Sequence, residues 1–118
     1  MQFNGEKSIY IQISEYVMEK ILTDLWLADQ KIPSIRDLAA ELEVNPNTVM
    51  RGYDLLQQQE IIYNKRGLGF FVAAQGKAHI TLIKKKQFLE IDLPAFFNTI
   101  ALLGISIEDI NLYYQKQQ

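Results

Sequence analysis

Two helix-start signals standing close together, Pro33-Ser34 and Asn45-Pro46, constrain this chain more than any other feature. The residue before a proline is steered out of the helical region, so a helix arriving at Ile32 must stop there. Ser34 can then cap a new helix, with Asp37 at the reciprocal capping-box position. Asn45 is an equally strong cap, and Pro46 occupies the first helical position, where its missing N–H costs nothing. Only a short helix fits between them, about Ile35 to Leu42, with Ile35, Leu38, Ala39 and Leu42 inward and a turn at Glu43-Val44. The next helix runs from Pro46 through Val49, Tyr53, Leu55 and Leu56 to about Gln59.

The flanks complete the pattern. Ile9, Ile13, Tyr16, Val17, Ile21 and Leu25 recur at steps of three and four, which predicts an amphipathic helix from Ile9 to Trp26. After Gln59 the period changes. Ile61-Ile62-Tyr63 and Phe70-Phe71-Val72 read as strands around the turn Asn64-Lys65-Arg66-Gly67-Leu68-Gly69. A hairpin alone is marginal, so this one must pack on the helices. A long helix, two short helices and a hairpin in this order are the pattern of a winged helix-turn-helix.

Beyond Ala73 the spacing predicts a linker at Gln75-Gly76-Lys77 and an apolar segment from Ile80 to Leu103 that contains Pro94. Either a helix from about Thr81 is interrupted near Asp92 or Pro94 opens a second helix, and a break or kink is the preferred reading. Gly104 ends the segment, and Ser106 with Glu108 and Asp109 starts a last helix reaching about Tyr114. Phe88, Leu89, Ile91, Leu93, Phe96, Phe97, Ile100, Leu102 and Leu103 exceed what so short a segment can bury by itself. The excess points to self-association, ahead of an apolar pocket lined by Phe96, Phe97, Tyr113 and Tyr114.

Composition narrows the chemistry. The 118 residues include no cysteine and one histidine, His79, which excludes a disulfide scaffold, a cysteine nucleophile and a multi-His zinc site. With 48% hydrophobic and 22% charged residues the chain should fold as one core with a small appendage. No apolar run is long enough for a membrane span and no signal-peptide core follows Lys7, so a cytoplasmic location is expected. The net charge is −2, distributed unevenly: residues 1–30 and 87–118 are acidic, residues 31–72 balance, and residues 73–86 hold four lysines and no acid. Any anion-binding surface therefore rests on a few placed cations in the middle of the chain.

Those cations have suitable company. The start of the third helix presents Asn45, Asn47, Thr48 and Arg51, donors and acceptors that suit base edges and phosphates, with Asn matching adenine and Arg guanine. The plain alternative makes Asn45 only a cap and Asn47 only a solvated residue. Arg36 beside Ser34 suits a phosphate at a helix N-terminus, or a surface ion pair with Asp37 or Glu41. Lys65 and Arg66 stand at the hairpin tip, where Gly67 allows a close backbone approach. Gly67-Leu68-Gly69 lacks the third glycine of a dinucleotide fingerprint. Lys84-Lys85-Lys86 reads as the solvated face of a helix and His79 as an ordinary junction residue.

Three runs, Lys31-Ile32-Pro33-Ser34-Ile35-Arg36-Asp37-Leu38-Ala39, Val44-Asn45-Pro46-Asn47-Thr48-Val49 and Arg66-Gly67-Leu68-Gly69-Phe70-Phe71-Val72, closely resemble the DNA-binding domain of GntR-family bacterial regulators. The likeness covers about residues 8 to 74, in the family's order and spacing. The Asn-Pro-Asn-Thr variant and the short tail resemble the YtrA-like subgroup, which implies a short helical dimerisation arm without a larger effector domain. The resemblance implies DNA contacts at Ser34, Arg36, Asn45, Asn47, Thr48, Arg51, Arg66 and Gly67. Two positions depart from the pattern: Ala28-Asp29 where the family often has Pro-Gly, and Leu68 at the wing's second basic position.

The expectation is a mainly α fold with a small β-hairpin wing: a winged helix-turn-helix over residues 1–75 and a helical dimerisation arm over 76–118. Its function is a homodimeric, cytoplasmic, sequence-specific regulator, a repressor on a pseudo-palindromic operator of double-stranded DNA. It is not an enzyme and needs no cofactor, metal or membrane; a small-molecule effector is left open, with no residue pattern pointing to one. The alternative is a winged-helix protein-interaction module that does not read DNA.

Overall fold

The computed structural model describes residues 3, 5 and 7–118. It contains α1 (Ile9–Leu22), α2 (Ile35–Leu42), α3 (Pro46–Gln58), β1 (Ile62–Lys65), β2 (Gly69–Val72), α4 (Gly76–Gln87), a π-helical turn (Phe88–Asp92), α5 (Leu93–Leu103) and α6 (Ile107–Lys116). The chain divides into two compact units, Met1–Leu82 and Ile83–Gln118.

In the first unit both caps form, but the expected capping box on α2 is only half made: among the described residues the Asp37 side chain makes no return bond to the Ser34 N–H. Ser34 Oγ accepts the Asp37 N–H at 3.0 Å, and Asn45 Oδ1 accepts the Asn47 N–H at 2.8 Å. Between them α2 ends at Glu43 in the left-handed region, φ 57°. Ile13, Val17 and Ile21 of α1, Leu38 of α2, and Val49, Tyr53 and Leu56 of α3 form the core with Ile32, Ile61, Ile62, Val72 and Ile80. The α1 stripe is rotated from the expected one: Ile9 and Leu25 are 44% and 62% exposed, while Met18, Gln12 and Ser14 are buried. Gln12 and Ser14 satisfy their polar groups on the Lys7 and Ile11 carbonyls.

Helix α1 stops at Leu22, short of the expected Trp26. Thr23 Oγ1 donates to the Glu19 carbonyl, Asp24 turns to φ 62°, and the Leu25 and Trp26 N–H groups both return to Lys20. These bonds satisfy the last-turn carbonyls that continuing the helix would have served.

β1 and β2 pair antiparallel, Ile62 opposite Val72 and Lys65 opposite Gly69. The segment before α2 joins this ladder: Ile32 N–H donates to Phe70, Val72 N–H to Gln30, and Asp29 N–H to Val72. Asp29 takes φ 63°, a left-handed position that glycine would hold without strain and aspartate tolerates. Its carboxylate also accepts the Tyr63 hydroxyl at 3.1 Å. The departure from Pro-Gly at Ala28-Asp29 thus keeps a left-handed turn and gains a tether to β1.

The expected linker at Gln75-Gly76-Lys77 is instead the first turn of α4. A Cβ on Gly76 would lie 2.5 Å from the Ile61 carbonyl oxygen, so glycine is there for close packing and not for flexibility. That oxygen accepts the Ala73 N–H at 2.9 Å, and His79 Nδ1 donates to the adjacent Glu60 carbonyl.

The chain stays helical through Pro94, but the regular α-helix is interrupted just before it, at Phe88–Asp92, and Pro94 lies in the first turn of α5. A proline ring crowds the carbonyl four residues back, here Glu90. Glu90 lies in the wider π turn, which absorbs the conflict and passes directly into α5. In the second unit Gly104 ends α5 at φ 69°, and Ser106 and Asp109 form a complete capping box on α6. Ile100 is buried, whereas Phe88, Leu89, Ile91, Phe96, Phe97, Leu102, Leu103 and Leu112 are exposed. Among the described residues no single helix is long and apolar enough to cross a membrane.

Candidate nucleic-acid interface

Tyr53 joins the parts that carry the candidate residues. Its ring is wholly buried, and its hydroxyl donates to the Pro33 carbonyl at 2.7 Å, fastening α3 to the residue before the α2 cap. The same ring meets Phe70 of β2 edge-on, centroids 4.9 Å apart. One side chain of α3 thereby fixes both the start of α2 and the wing. Burial, reinforced by Glu41 and Tyr16, holds this phenol above its ordinary range, so it remains a hydrogen-bond donor.

With Val49, Gly52, Tyr53 and Leu56 turned inward, the outer line of α3 is Asn47, Arg51, Asp54 and Gln58, all exposed. Asn47 and Arg51 are neighbours on that line at i, i+4 spacing; Thr48 is half-buried at its edge. Asn45 is exposed and acts as the cap, its carbonyl oxygen committed to Asn47 N–H and its amide N–H groups turned to no partner among the described residues. Ser34 is likewise exposed; its oxygen accepts from Asp37, which leaves its own proton to donate.

Arg36 is exposed on the first turn of α2, and among the described residues it pairs with neither Asp37 nor Glu41; the Tyr16 hydroxyl contacts Glu41 instead. On the wing, Lys65 Nζ stands 5.9 Å from the Phe71 ring centroid, and Arg66 and Gly67 occupy the tip. Leu68 N–H closes the tip on the Lys65 carbonyl at 2.8 Å. Gly67 at φ 78° and Gly69 at φ 116° adopt backbone conformations that a side chain would strain.

What marks this region is where its cations stand. Lys31, Arg36, Arg51, Lys65 and Arg66 are all exposed, and none has an ion pair among the described residues. Among the described residues Lys7 pairs with Glu15 and Lys77 with Asp24, both outside this region. Cations without ion pairs at a helix start, along a helix face and at a hairpin tip can meet phosphates without first breaking a salt bridge.

Sequence reasoning missed several residues. Lys31 belongs with the wing, its Cε 3.1 Å from where a Gly69 Cβ would lie. Met50 and Asp54 share the exposed side of α3. Tyr10 of α1 carries the Arg51 guanidinium over its ring at 4.1 Å. The helical period marks Met50 and Asp54 as outward-facing; nothing local marks Lys31 or Tyr10.

Together these features define a DNA-binding protein of the winged helix-turn-helix class. The chain belongs to the GntR family of bacterial regulatory proteins, whose family model matches residues 9–72. It is 36% identical over 109 residues to the HTH-type transcriptional repressor YtrA of Bacillus subtilis, across 92% of this chain and 82% of that one. A GntR-family transcriptional regulator from Listeria monocytogenes has the same fold, with a TM-score of 0.80, 35% identity and coverage of 97% and 98% of the two chains. The AraR DNA-binding domain, solved in complex with operator ORX1, matches 61% of this chain and 93% of its own, with a TM-score of 0.55 and 31% identity. The protein is accordingly a GntR-type DNA-binding transcriptional regulator, and its relatives are regulators and not enzymes.

Proposed function

We propose that this regulator is a cytoplasmic repressor acting as a homodimer on a pseudo-palindromic operator. Residues 1–75 form its DNA-binding domain and residues 76–118 its dimerisation arm. The observation that carries the reading is the set of five exposed cations without ion pairs at α2, α3 and the wing. In this reading Ser34, Arg36, Lys65, Arg66 and Gly67 hold the phosphate backbone and wing contacts, which position the protein and supply affinity. Asn45, Asn47, Thr48 and Arg51 meet the base edges, with Asn suited to adenine and Arg to guanine.

Dimerisation is supported by the apolar surface of the arm: Phe96, Phe97, Leu102 and Leu103 are exposed in the single chain, Leu102 at 87%. Such side chains in water favour a second copy, and two-fold symmetry would set two α3 helices on half-sites about one helical turn apart. Repression is the activity in the name of the YtrA relative, and operator binding is what the AraR complex displays.

The test is fluorescence anisotropy on duplexes selected by the protein from a random pool and on scrambled controls, at two salt concentrations, with sizing of the free protein. Tight, salt-sensitive, sequence-selective binding by a dimer is expected. A pool from which no sequence is enriched would overturn DNA reading in favour of a protein-interaction module, and a monomer at working concentration would overturn the arm's role.

A further inference from the structure

The contact between Tyr10 and Arg51 joins α1 to the exposed face of α3. The Arg51 guanidinium carbon lies 4.1 Å from the Tyr10 ring centroid, well within cation–π range. Tyr10 is half-buried and Arg51 exposed. The approach depends on the next residue of α3. A Cβ at Gly52 would meet the Tyr10 carbonyl oxygen at 3.1 Å and Ile13 Cγ2 at 3.2 Å, so the absence of a side chain lets α1 come this close.

The stack has a consequence for recognition. Arginine carries a large rotamer entropy, and ordering such a side chain at an interface costs affinity unless it is already ordered. A cation–π contact engages the guanidinium charge without taking up an N–H as a hydrogen-bond donor, and those N–H groups form the fork that meets O6 and N7 of guanine. Among the described residues no carboxylate forms an ion pair with Arg51, so the aromatic ring is its fixed support.

We infer that Tyr10 is a positioning residue for base recognition: a side chain on α1, outside the reading helix, holds Arg51 ready and thereby sharpens base choice where Arg51 reads. This rests on the proposed role of Arg51 as a base contact.

The test uses the full chain and an operator enriched from a random duplex pool by the wild type. Tyr10→Leu should weaken the enriched duplex about two- to fivefold and flatten preference at the base pair that Arg51→Ala flattens. The salt slope should stay unchanged, because no phosphate contact is lost. In an Arg51→Ala background Tyr10→Leu should cost nothing more, and Tyr10→Phe, which keeps the ring, should bind as the wild type does. A second measurement needs no DNA: ring-current upfield shifts of the Arg51 side-chain protons should be present in the wild type and Tyr10→Phe and absent in Tyr10→Leu. A similar loss in both backgrounds, or an unaltered base preference in Tyr10→Leu, would overturn the positioning role while leaving the regulator reading intact. A wild type that enriches no sequence would overturn that reading and the inference with it.

Discussion

Replacing Tyr53 with phenylalanine removes one oxygen from the centre of the winged helix and little else. The ring stays, with its edge contact to Phe70, while the 2.7 Å bond to the Pro33 carbonyl is lost. A buried neutral hydrogen bond contributes about 1 kcal/mol net, and an orphaned carbonyl adds to the loss, so Tyr53→Phe should destabilise by about 1–2 kcal/mol at pH 7. For a domain of this size that is a fall in Tm of roughly 4–8 °C per kcal/mol.

Alkaline pH turns this into a sharper test. Burial, with Glu41 and Tyr16 adding to it, raises the Tyr53 pKa in the folded chain above the ordinary value of 10.0. A raised folded pKa means the contribution is complete below pH 10 and is lost as pH climbs toward the folded value. At one unit above the unfolded pKa the loss is about 1.4 kcal/mol. The wild-type advantage should therefore shrink from pH 10 and vanish near pH 11, where the phenylalanine variant overtakes it. Paired thermal or urea unfolding at pH 7, 9, 10 and 11 reads the difference directly, since other titrating groups are common to both proteins. Equal stability at pH 7, or a gap that persists unchanged at pH 11, would refute the reasoning.

Four further outcomes follow from the same geometry. Gly76→Ala drives a methyl against the Ile61 carbonyl, which the Ala73 N–H holds in place, and should cost about 1–3 kcal/mol, read as a lower urea midpoint at unchanged slope. Arg51→Ala should weaken the selected operator by about 1–3 kcal/mol and relax preference at one base pair, measured by competition among single-substituted duplexes. Arg66→Ala should weaken selected and scrambled duplexes alike and lower the log–log salt slope by about 0.9 in anisotropy titrations. Phe96→Ser with Phe97→Ser should raise the dimer dissociation constant by at least about tenfold, seen in sedimentation; an unchanged constant would remove the arm's exposed rings from the interface.

Much of the winged helix was legible because its signals are local. Asn45-Pro46 starts a helix wherever the rest of the chain goes, and α2 spans Ile35–Leu42 as its cap and its apolar spacing require. The wing follows from two glycines at positive φ between apolar strands. The α1 end was misread because Leu25 and Trp26 keep the apolar period, while the chain leaves the helix at Thr23 to meet β2 through Asp29. Gly76 was misread because a glycine demanded by packing looks identical in sequence to one demanded by flexibility.

For the site the division is similar. Helical period and cap chemistry are enough to decide which side chains of α2, α3 and the wing face outward. What stands beside them comes from packing between elements: Tyr53 fastened to Pro33 and Phe70, Arg36 without Asp37 or Glu41, Lys31 brought to the wing, and Tyr10 laid under Arg51. The physical reason is range. Caps and turns are settled within about four residues by backbone hydrogen bonds, whereas the ring under Arg51 comes from another helix, whose backbone packs tightly against Gly52.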